Sequence, residues 1–300
     1  MDVVFAGTAP FGADVLSHLA SVVEGRHRIA MVISQPDRPS GRGRRSSPTP
    51  VAAVASDLGL TLHQPESINA EAEVERLREA DVRVLLVAAY GQILRAPVLE
   101  AALPLNVHAS LLPRWRGAAP VERALIAGDR ETGVCLMRME AGLDTGPVCG
   151  RRTVPIAPED DAGALFGRLA EQGARLAAAA LDRLDDGRTL PFSAQKSEGV
   201  TYAHKIVPAD RLLDLTRTAR QVHDRVRALC PNIGAQAWLR GRPVTVWRTI
   251  PPGQAADPDL PTLACGDGEL AVAEVQPPGR RRMDAAAWAR GLRSRSDGAG

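Results

Sequence analysis

The stretch Asn106-Val107-His108-Ala109-Ser110-Leu111-Leu112-Pro113-Arg114-Trp115-Arg116-Gly117-Ala118-Ala119-Pro120 decides how the chain is read. It begins as a strand, breaks at Pro113, passes a basic, aromatic turn and enters a helical segment from Ala118. Alternation along a strand puts Asn106 and His108 on one face and Val107 and Ala109 on the other. A carboxamide there can donate to a developing oxyanion, and an imidazole moves protons near neutral pH. On those two residues alone, a polar strand edge is the plainer reading.

The flanking segments supply an α/β frame. Val82 to Ala89 is a nearly continuous apolar run, as expected of a central strand covered on both faces. It ends in Tyr90-Gly91-Gln92, a turn at the strand end where ligands collect in open α/β sheets. Val3 to Ala6, the turn Gly7-Thr8, helical spacing over Phe11 to Val22 and a strand over Ile29 to Ser34 repeat the same logic. The turn is not G-x-G-x-x-G, so the dinucleotide fingerprint is absent. Val51 to Leu58 reads as a helix, Leu60 to His63 as a short strand, and Asn69 to Glu79 as a helix with Asn69 at its N-cap. Thr132 to Met139 and Val148 to Val154 read as neighbouring strands joined by Gly142-Leu143-Asp144-Thr145-Gly146. Asp160 to Leu184 has the spacing of a long amphipathic helix. These elements define a first domain, 1–187, followed by an aperiodic linker, 188–208. A second domain, 209–300, opens with a helix over Leu212 to Leu229. Short strands at Ala237 to Leu239, Val244 to Thr249 and Leu270 to Val275, separated by Gly- and Pro-rich turns, suit a small β-barrel. Residues beyond Leu292 read as a frayed tail.

Composition narrows the function classes. The 300 residues are 45% hydrophobic and 24% charged, ordinary for a globular protein of two domains. The net charge of +2 hides an asymmetry. Residues 1–200 carry 22 basic and 25 acidic side chains, whereas 201–300 carry 15 and 10. A basic C-terminal third suits a polyanionic partner as well as it suits a solvated surface. The four cysteines, Cys135, Cys149, Cys230 and Cys265, form no Cys-x-x-Cys pair, so neither a zinc site nor a disulfide framework is expected, in keeping with a reducing cytosol. No apolar run approaches membrane-spanning length. A cytoplasmic monomer without metal or membrane attachment is the expectation. His63, His204 and His223 have no motif around them and read as surface or capping residues.

Between the second strand and the next helix lies Gln35-Pro36-Asp37-Arg38-Pro39-Ser40-Gly41-Arg42-Gly43-Arg44-Arg45. Its Gly, Pro and Ser content argues against any regular element. Arg38, Arg42, Arg44 and Arg45 make it a cationic loop able to follow a phosphate backbone, or a plain surface loop.

The residues Asn106-Val107-His108, Ser110 to Pro113, Arg114 to Pro120 and Gly142 to Gly146 together resemble the formyltransferase family that uses 10-formyltetrahydrofolate. The resemblance is strong over residues 1–187 and weaker over 201–291, where it rests on Val244-Thr245-Val246-Trp247 and Gln276 to Arg281. It implies a Rossmann-like, mostly parallel first domain and an OB-like C-terminal barrel. It implies a donor site formed by Ser110, Leu111, Leu112 and Pro113, with backbone around Tyr90, Gly91 and Gln92 and around Ala141, Gly142 and Leu143 holding the pterin. Members that formylate initiator methionyl-tRNA carry a similar basic loop that enters the acceptor stem, with Arg42 in the matching position. Arg280 and Arg281 fall in the C-terminal stretch that matches. The sequence departs from the family at Ala9, where Pro usually follows the Gly-Thr turn, and at Asn232 and Ile233, where aromatic residues are usual.

Formyl transfer needs a neutral amine, a stabilised oxyanion and a protonated leaving nitrogen. A free α-amino group titrates near ~7.7–8.0, and an adjacent ester lowers that, so no strong base is required for attack. The resemblance then implies Asn106 as oxyanion donor, His108 as proton carrier and Asp144 as the carboxylate that favours the charged ring. By its residues alone Asp144 is a turn carboxylate. Ser110 lacks the G-x-S-x-G elbow and is not read as a nucleophile. Three rivals stand beside the tRNA reading. One is formylation of another amine, such as an aminosugar nucleotide or glycinamide ribonucleotide. Another is the folate hydrolase-dehydrogenase family, whose dehydrogenase half would need several hundred more residues. The third is a non-catalytic RNA-binding protein on the same fold.

Overall fold

The computed structural model describes residues 1–40 and 45–296. Along the chain run β1 (Asp2–Gly7), α1 (Pro10–Val23), β2 (Arg28–Ile33), β3 (Arg38–Ser40), β4 (Arg45–Ser47), α2 (Pro50–Asp57), β5 (Leu62–His63) and α3 (Glu71–Glu79). Then come β6 (Val84–Ala88), α4 (Ala96–Ala101), β7 (Leu103–His108), β8 (Arg116–Gly117), α5 (Pro120–Ile126), β9 (Glu131–Arg138), β10 (Val148–Pro155) and α6 (Ala162–Asp185). The rest is β11 (Tyr202–Ala203), a 3-10 turn at Pro208–Arg211, α7 (Ala219–Ala228), β12 (Ala235–Leu239), β13 (Arg242–Thr249), β14 (Thr262–Cys265), β15 (Gly268–Gln276), β16 (Met283–Asp284) and α8 (Ala285–Ser296).

Two compact units emerge: Met1–Gly117 with Thr132–Val154 and Phe166–Tyr202, and Ala118–Glu131 with Pro155–Leu165 and Ala203–Gly300. The first is Rossmann-like. Its seven-stranded sheet has the order β10-β9-β7-β6-β1-β2-β5. β5, β2, β1, β6 and β7 run parallel, and β9 is antiparallel to β7. The strands of the centre are apolar on both faces; Val84 to Ala88 and Val3 to Ala6 are all buried. After β1 the chain moves outward to β2 and β5, then returns to the other side of β1 as β6. That reversal leaves a crevice beyond the C-terminal ends of β1 and β6. The loops there are tied together. Thr8 and Ala9 both donate their N–H groups to the carbonyl of Ala89, and Gln35 Nε2 donates to the carbonyl of Tyr90 at 2.8 Å.

The second unit carries an antiparallel half-barrel with strand order β12-β13-β15-β14 and β16 against β15. Val222 and Val226 of α7, its C-cap Leu229 and Trp288 of α8 share a buried cluster with Val244, Val246, Val272 and Val275 of the sheet.

Several expectations need correction. The basic segment 35–45 is partly regular, because β3 and β4 pair as an antiparallel hairpin, Arg38 opposite Ser47; Arg42 and Arg44 lie outside the described residues. Asn69 does not cap α3. Its side chain is committed to the loop after β6, donating to Ile93 O and accepting from Arg95 N, and the helix starts two residues later behind Ala70. The helix expected from Leu212 starts only at Ala219. Asp214 Oδ1 accepts from both the backbone and the hydroxyl of Thr216, a local turn that competes with helix. Thr218 then caps the true N-terminus with Gln221 in a capping box. His223 is buried, not superficial: it sits between Thr249 Oγ1 at 2.8 Å and Pro158 O at 3.0 Å, and burial pushes its pKa down. The expected tail is α8 as far as Ser296, capped by Asp284 Oδ1, which accepts from Ala287 N.

Candidate active site

β7 has its Val107 face closed by α6. A side chain at Gly173 of that helix would meet Val107 Cγ1 at 2.5 Å and Val134 Cγ2 at 3.3 Å. Asn106 and His108 therefore turn away from α6, towards the strand-end crevice. Asn106 pairs with Val87 on one side and Met137 on the other, and His108 pairs with Cys135. Among the described residues, nothing hydrogen-bonds the Asn106 carboxamide, which is half-buried and open to a ligand.

His108 is buried. Its Nε2 lies 3.0 Å from the carbonyl of Trp115. A carbonyl only accepts, so Nε2 carries a hydrogen and donates. The remaining nitrogen, Nδ1, faces Asp144 Oδ2 at 3.7 Å. Trp115 is held in a left-handed conformation, φ 61, by its own N–H donating to Thr201 Oγ1 at 2.9 Å. The turn that follows β7 is thus shaped to present a carbonyl to the imidazole.

Asp144 comes from the loop between β9 and β10, also with a left-handed backbone, φ 50. That loop can turn so sharply because glycines flank it: a Cβ at Gly146 would fall 1.9 Å from Arg138 O, and one at Gly142 2.2 Å from Thr145 Oγ1. Asp144 Oδ2 also accepts the backbone N–H of Gly117 at 2.8 Å, which binds the Arg-Trp-Arg-Gly turn to the carboxylate loop.

A residue outside the sequence expectations completes this arrangement. Gln195 Nε2 donates to the carbonyls of Asp144 at 2.7 Å and Gly146 at 2.8 Å. Its Oε1 accepts from the buried Arg116 guanidinium at 2.8 and 3.2 Å. Gln195 therefore fastens both loops at once, from a segment that reads as an aperiodic linker. No periodicity marks it; only the coincidence of a glutamine with a buried arginine in space does.

The formyl transferase family matches residues 1–181, and the C-terminal domain of formyl transferases matches 205–293. The chain belongs to the formyl transferase family. Methionyl-tRNA formyltransferase of Dechloromonas aromatica (strain RCB) is 44% identical over 296 residues, covering 94% of this chain and 93% of the relative. That of Ruegeria pomeroyi (strain ATCC 700808 / DSM 15171 / DSS-3) is 45% identical over 301 residues, with 97% of both covered. The N-formyltransferase of Helicobacter canadensis, solved with folinic acid and dTDP-3-aminofucose, is similar in fold. Its TM-score is 0.66 at 15% identity, over 91% of this chain and 99% of that one.

The other residues expected to form the donor site of this formyl transferase are placed as follows. Tyr90 points its ring into the core, where burial, and then Glu73, push the phenol up to about 12 and leave its hydroxyl without a partner among the described residues. Gln92 spends its amide on Ile68 N and Glu66 O. Gly91 is left-handed, φ 83, and a Cβ there would strike Gln35. This turn consequently offers backbone to a ligand. Ser110 is fully buried, its hydroxyl donating to Arg114 O at 2.6 Å, which removes it from nucleophilic chemistry. Leu111 packs over Gly133, Leu112 joins Cys135, Met137 and Val148 in a small core, and the Leu112–Pro113 bond is cis. Ala141, Gly142 and Leu143 are exposed. Among the described residues no group of three or more His, Cys, Asp or Glu could hold a metal ion, and no helix is long and apolar enough to cross a membrane. Arg38, Arg280 and Arg281 are exposed, and Arg45 lies in β4.

Proposed function

We propose that this formyl transferase moves the formyl group of 10-formyltetrahydrofolate onto the α-amino group of initiator methionyl-tRNA, giving N-formylmethionyl-tRNA for translation initiation. The observation that carries the chemistry is the approach of Asp144 to His108 beside the open Asn106 amide. Identity of 43–45% to methionyl-tRNA formyltransferases along nearly the whole chain carries the choice of amine.

The donor is a substrate, and 10-formyltetrahydrofolate supplies an activated formyl carbon. The Asn106 carboxamide donates to the formyl oxygen as negative charge builds on it, and being neutral it does so without first being stripped of a counter-ion. His108, with Nε2–H engaged by Trp115, takes the proton of the attacking amine at Nδ1. Asp144 faces the cation so formed, and His108 then returns the proton to the departing nitrogen. Gly117 N holds the carboxylate oxygen in place during both transfers. Residues 1–187 bear the folate and amine sites, and 209–300 bind the tRNA. Backbone at Tyr90 to Gln92 and Ala141 to Leu143, with the Ser110 to Pro113 turn behind it, receives the pterin. Arg38, Arg42, Arg44, Arg45, Arg280 and Arg281 hold phosphates. The enzyme acts as a monomer in the cytoplasm.

The test is incubation with 10-formyltetrahydrofolate and, in parallel, charged initiator tRNA, uncharged tRNA, an aminosugar nucleotide and glycinamide ribonucleotide. Formyl incorporation confined to the charged tRNA supports the reading; transfer to either small amine in its place overturns it.

A further inference from the structure

The half-barrel displays an aromatic side chain that the catalytic groups do not account for. Trp238 on β12 is 68% exposed, far more than the tryptophans of the same unit, Trp247 and Trp288, at 7% and 8%. Alternation explains its direction. Ala235 and Leu239 face the core, so Gln236 and Trp238 face outward. A large indole displayed on a strand is an amphipathic surface available to a ligand, and its surroundings decide which.

Register shows what surrounds it. Trp238 pairs with Pro243, and the β12–β13 hairpin closes beyond them through Arg240 and Gly241, both left-handed. β13 and β15 are antiparallel, Thr245 opposite Gln276. The chain leaving β15 at Gln276 therefore heads towards the same end of the sheet as the hairpin tip. There it forms the connection containing Arg280, Arg281 and Arg282, and Gln276 Nε2 pins this loop by donating to Arg280 O at 2.8 Å. β12 and β15 are two strand spacings apart, about 10 Å. Trp238 thus stands on the outermost strand, at the sheet end where two arginine-bearing turns lie. Arg240, Arg242, Arg280 and Arg281 are exposed and enter no ion pair among the described residues. Arg282 is already used: it stacks on Trp247, 3.4 Å from the ring centroid, and donates to Pro231 O. Glu274, opposite Arg248 and Asp284, is the acid on the outer side of β15, further from this end.

We propose that Trp238 is a stacking platform for an unpaired nucleobase of the RNA substrate, with Arg240 at the hairpin tip and Arg280 and Arg281 of the loop after β15 taking the adjoining phosphates. An aromatic face flanked by uncompensated cations is the chemistry of single-stranded nucleic-acid sites: the ring accepts any base, and the cations follow the backbone. The exposed cations at this end of the sheet complement a phosphate backbone, which selects RNA as the occupant. The inference rests on the tRNA reading above and deepens it by naming a contact.

The experiment uses the full-length chain. Binding of charged initiator tRNA and its steady-state formylation are measured for the parent, Trp238→Ala, Trp238→Phe and Arg240→Ala/Arg280→Ala. Stacking by one base is worth ~1–3 kcal/mol, so Trp238→Ala should weaken tRNA binding about 5- to 150-fold, raising KM rather than lowering kcat. Trp238→Phe should restore most of the loss. The double arginine variant should flatten the dependence of log Kd on log salt by about 2. An unlabelled single-stranded oligoribonucleotide should quench tryptophan fluorescence in the parent and not in Trp238→Phe. Unchanged tRNA affinity and KM in Trp238→Ala overturn the inference. So does a change in mass by light scattering without a change in RNA binding, which would make this face a contact between copies. If the parent chain itself fails to formylate charged tRNA, the functional reading fails, and the result is distinct from either of these.

Discussion

Asp144 Oδ2 receives the backbone N–H of Gly117 at 2.8 Å while facing His108 Nδ1 at 3.7 Å, so one carboxylate oxygen serves both the turn after β7 and the imidazole carried by β7. Two loops that arrive from different strand ends are thereby set in a fixed relation to the Asn106 face. The geometry suits the proton exchange proposed at Nδ1. That nitrogen is the one not committed to a backbone carbonyl, and it faces the Asp144 carboxylate.

Removing His108 or Asn106 should abolish turnover and spare the fold. His108→Ala should lower kcat by ~10²–10⁴-fold, the usual worth of a proton carrier. Asn106→Ala should raise the barrier by roughly 2.7–4 kcal/mol. Circular dichroism should match the parent, because neither side chain fills the α6 side of the sheet. A collapsed spectrum would assign them to structure instead.

Gln195 should act as a positioning residue, and two substitutions separate its duties. Gln195→Leu leaves the buried Arg116 guanidinium without the acceptor it has now, costing about 1–3 kcal/mol by urea unfolding. Gln195→Glu restores an acceptor for Arg116 but cannot donate to Asp144 O and Gly146 O. It should recover stability and still have a low kcat. Full activity in Gln195→Glu would show that the clamp on the carboxylate loop is dispensable.

Glu122 gives a pH dependence. It lies in α5, burial raises its pKa, and Oε2 is without a partner among the described residues. The folded state therefore holds this proton more tightly than the unfolded chain. The protein loses stability as pH rises from the ordinary carboxylate range through the raised value. Glu122→Gln should be more stable than the parent at pH 7, by on the order of 1 kcal/mol. The two should converge at pH ~4 and below, where the unfolded carboxyl is also protonated. Parallel stability curves at all pH values would show that the carboxyl does not titrate differently on folding.

Arg42→Ala should raise KM for charged initiator tRNA and leave folate affinity near that of the parent. Kinetics on tRNA with a parallel folate titration check this; tRNA kinetics equal to the parent would remove the basic segment 35–45 from recognition.

The parallel core was legible because its signals are local: Val84 to Ala88 and Val3 to Ala6 are continuous apolar runs bounded by glycine turns. His108, Asn106 and Asp144 were legible as a motif, and the pairing of Asp144 with His108 follows from where their strands end. What escaped depends on distant partners. Leu212 to Thr218 has helical spacing, yet Leu213 N donates to Gln236 O, so the segment runs beside β12. α8 carries a glycine and little apolar periodicity, and it exists because Ala285, Trp288 and Ala289 pack on the half-barrel. Gln195 has no local signature at all; its role is created by Arg116 and by two carbonyls of the loop around Asp144.

The most direct test is single-turnover transfer of formyl from 10-formyltetrahydrofolate to methionyl-tRNA by Asp144→Asn, with both substrates saturating. Asparagine keeps an oxygen for Gly117 N but loses the charge that faces His108. A transfer rate reduced ~10²-fold or more, with folate binding retained, is the expected result. A rate equal to that of the parent would contradict the assignment of this carboxylate and imidazole to the formyl-transfer step.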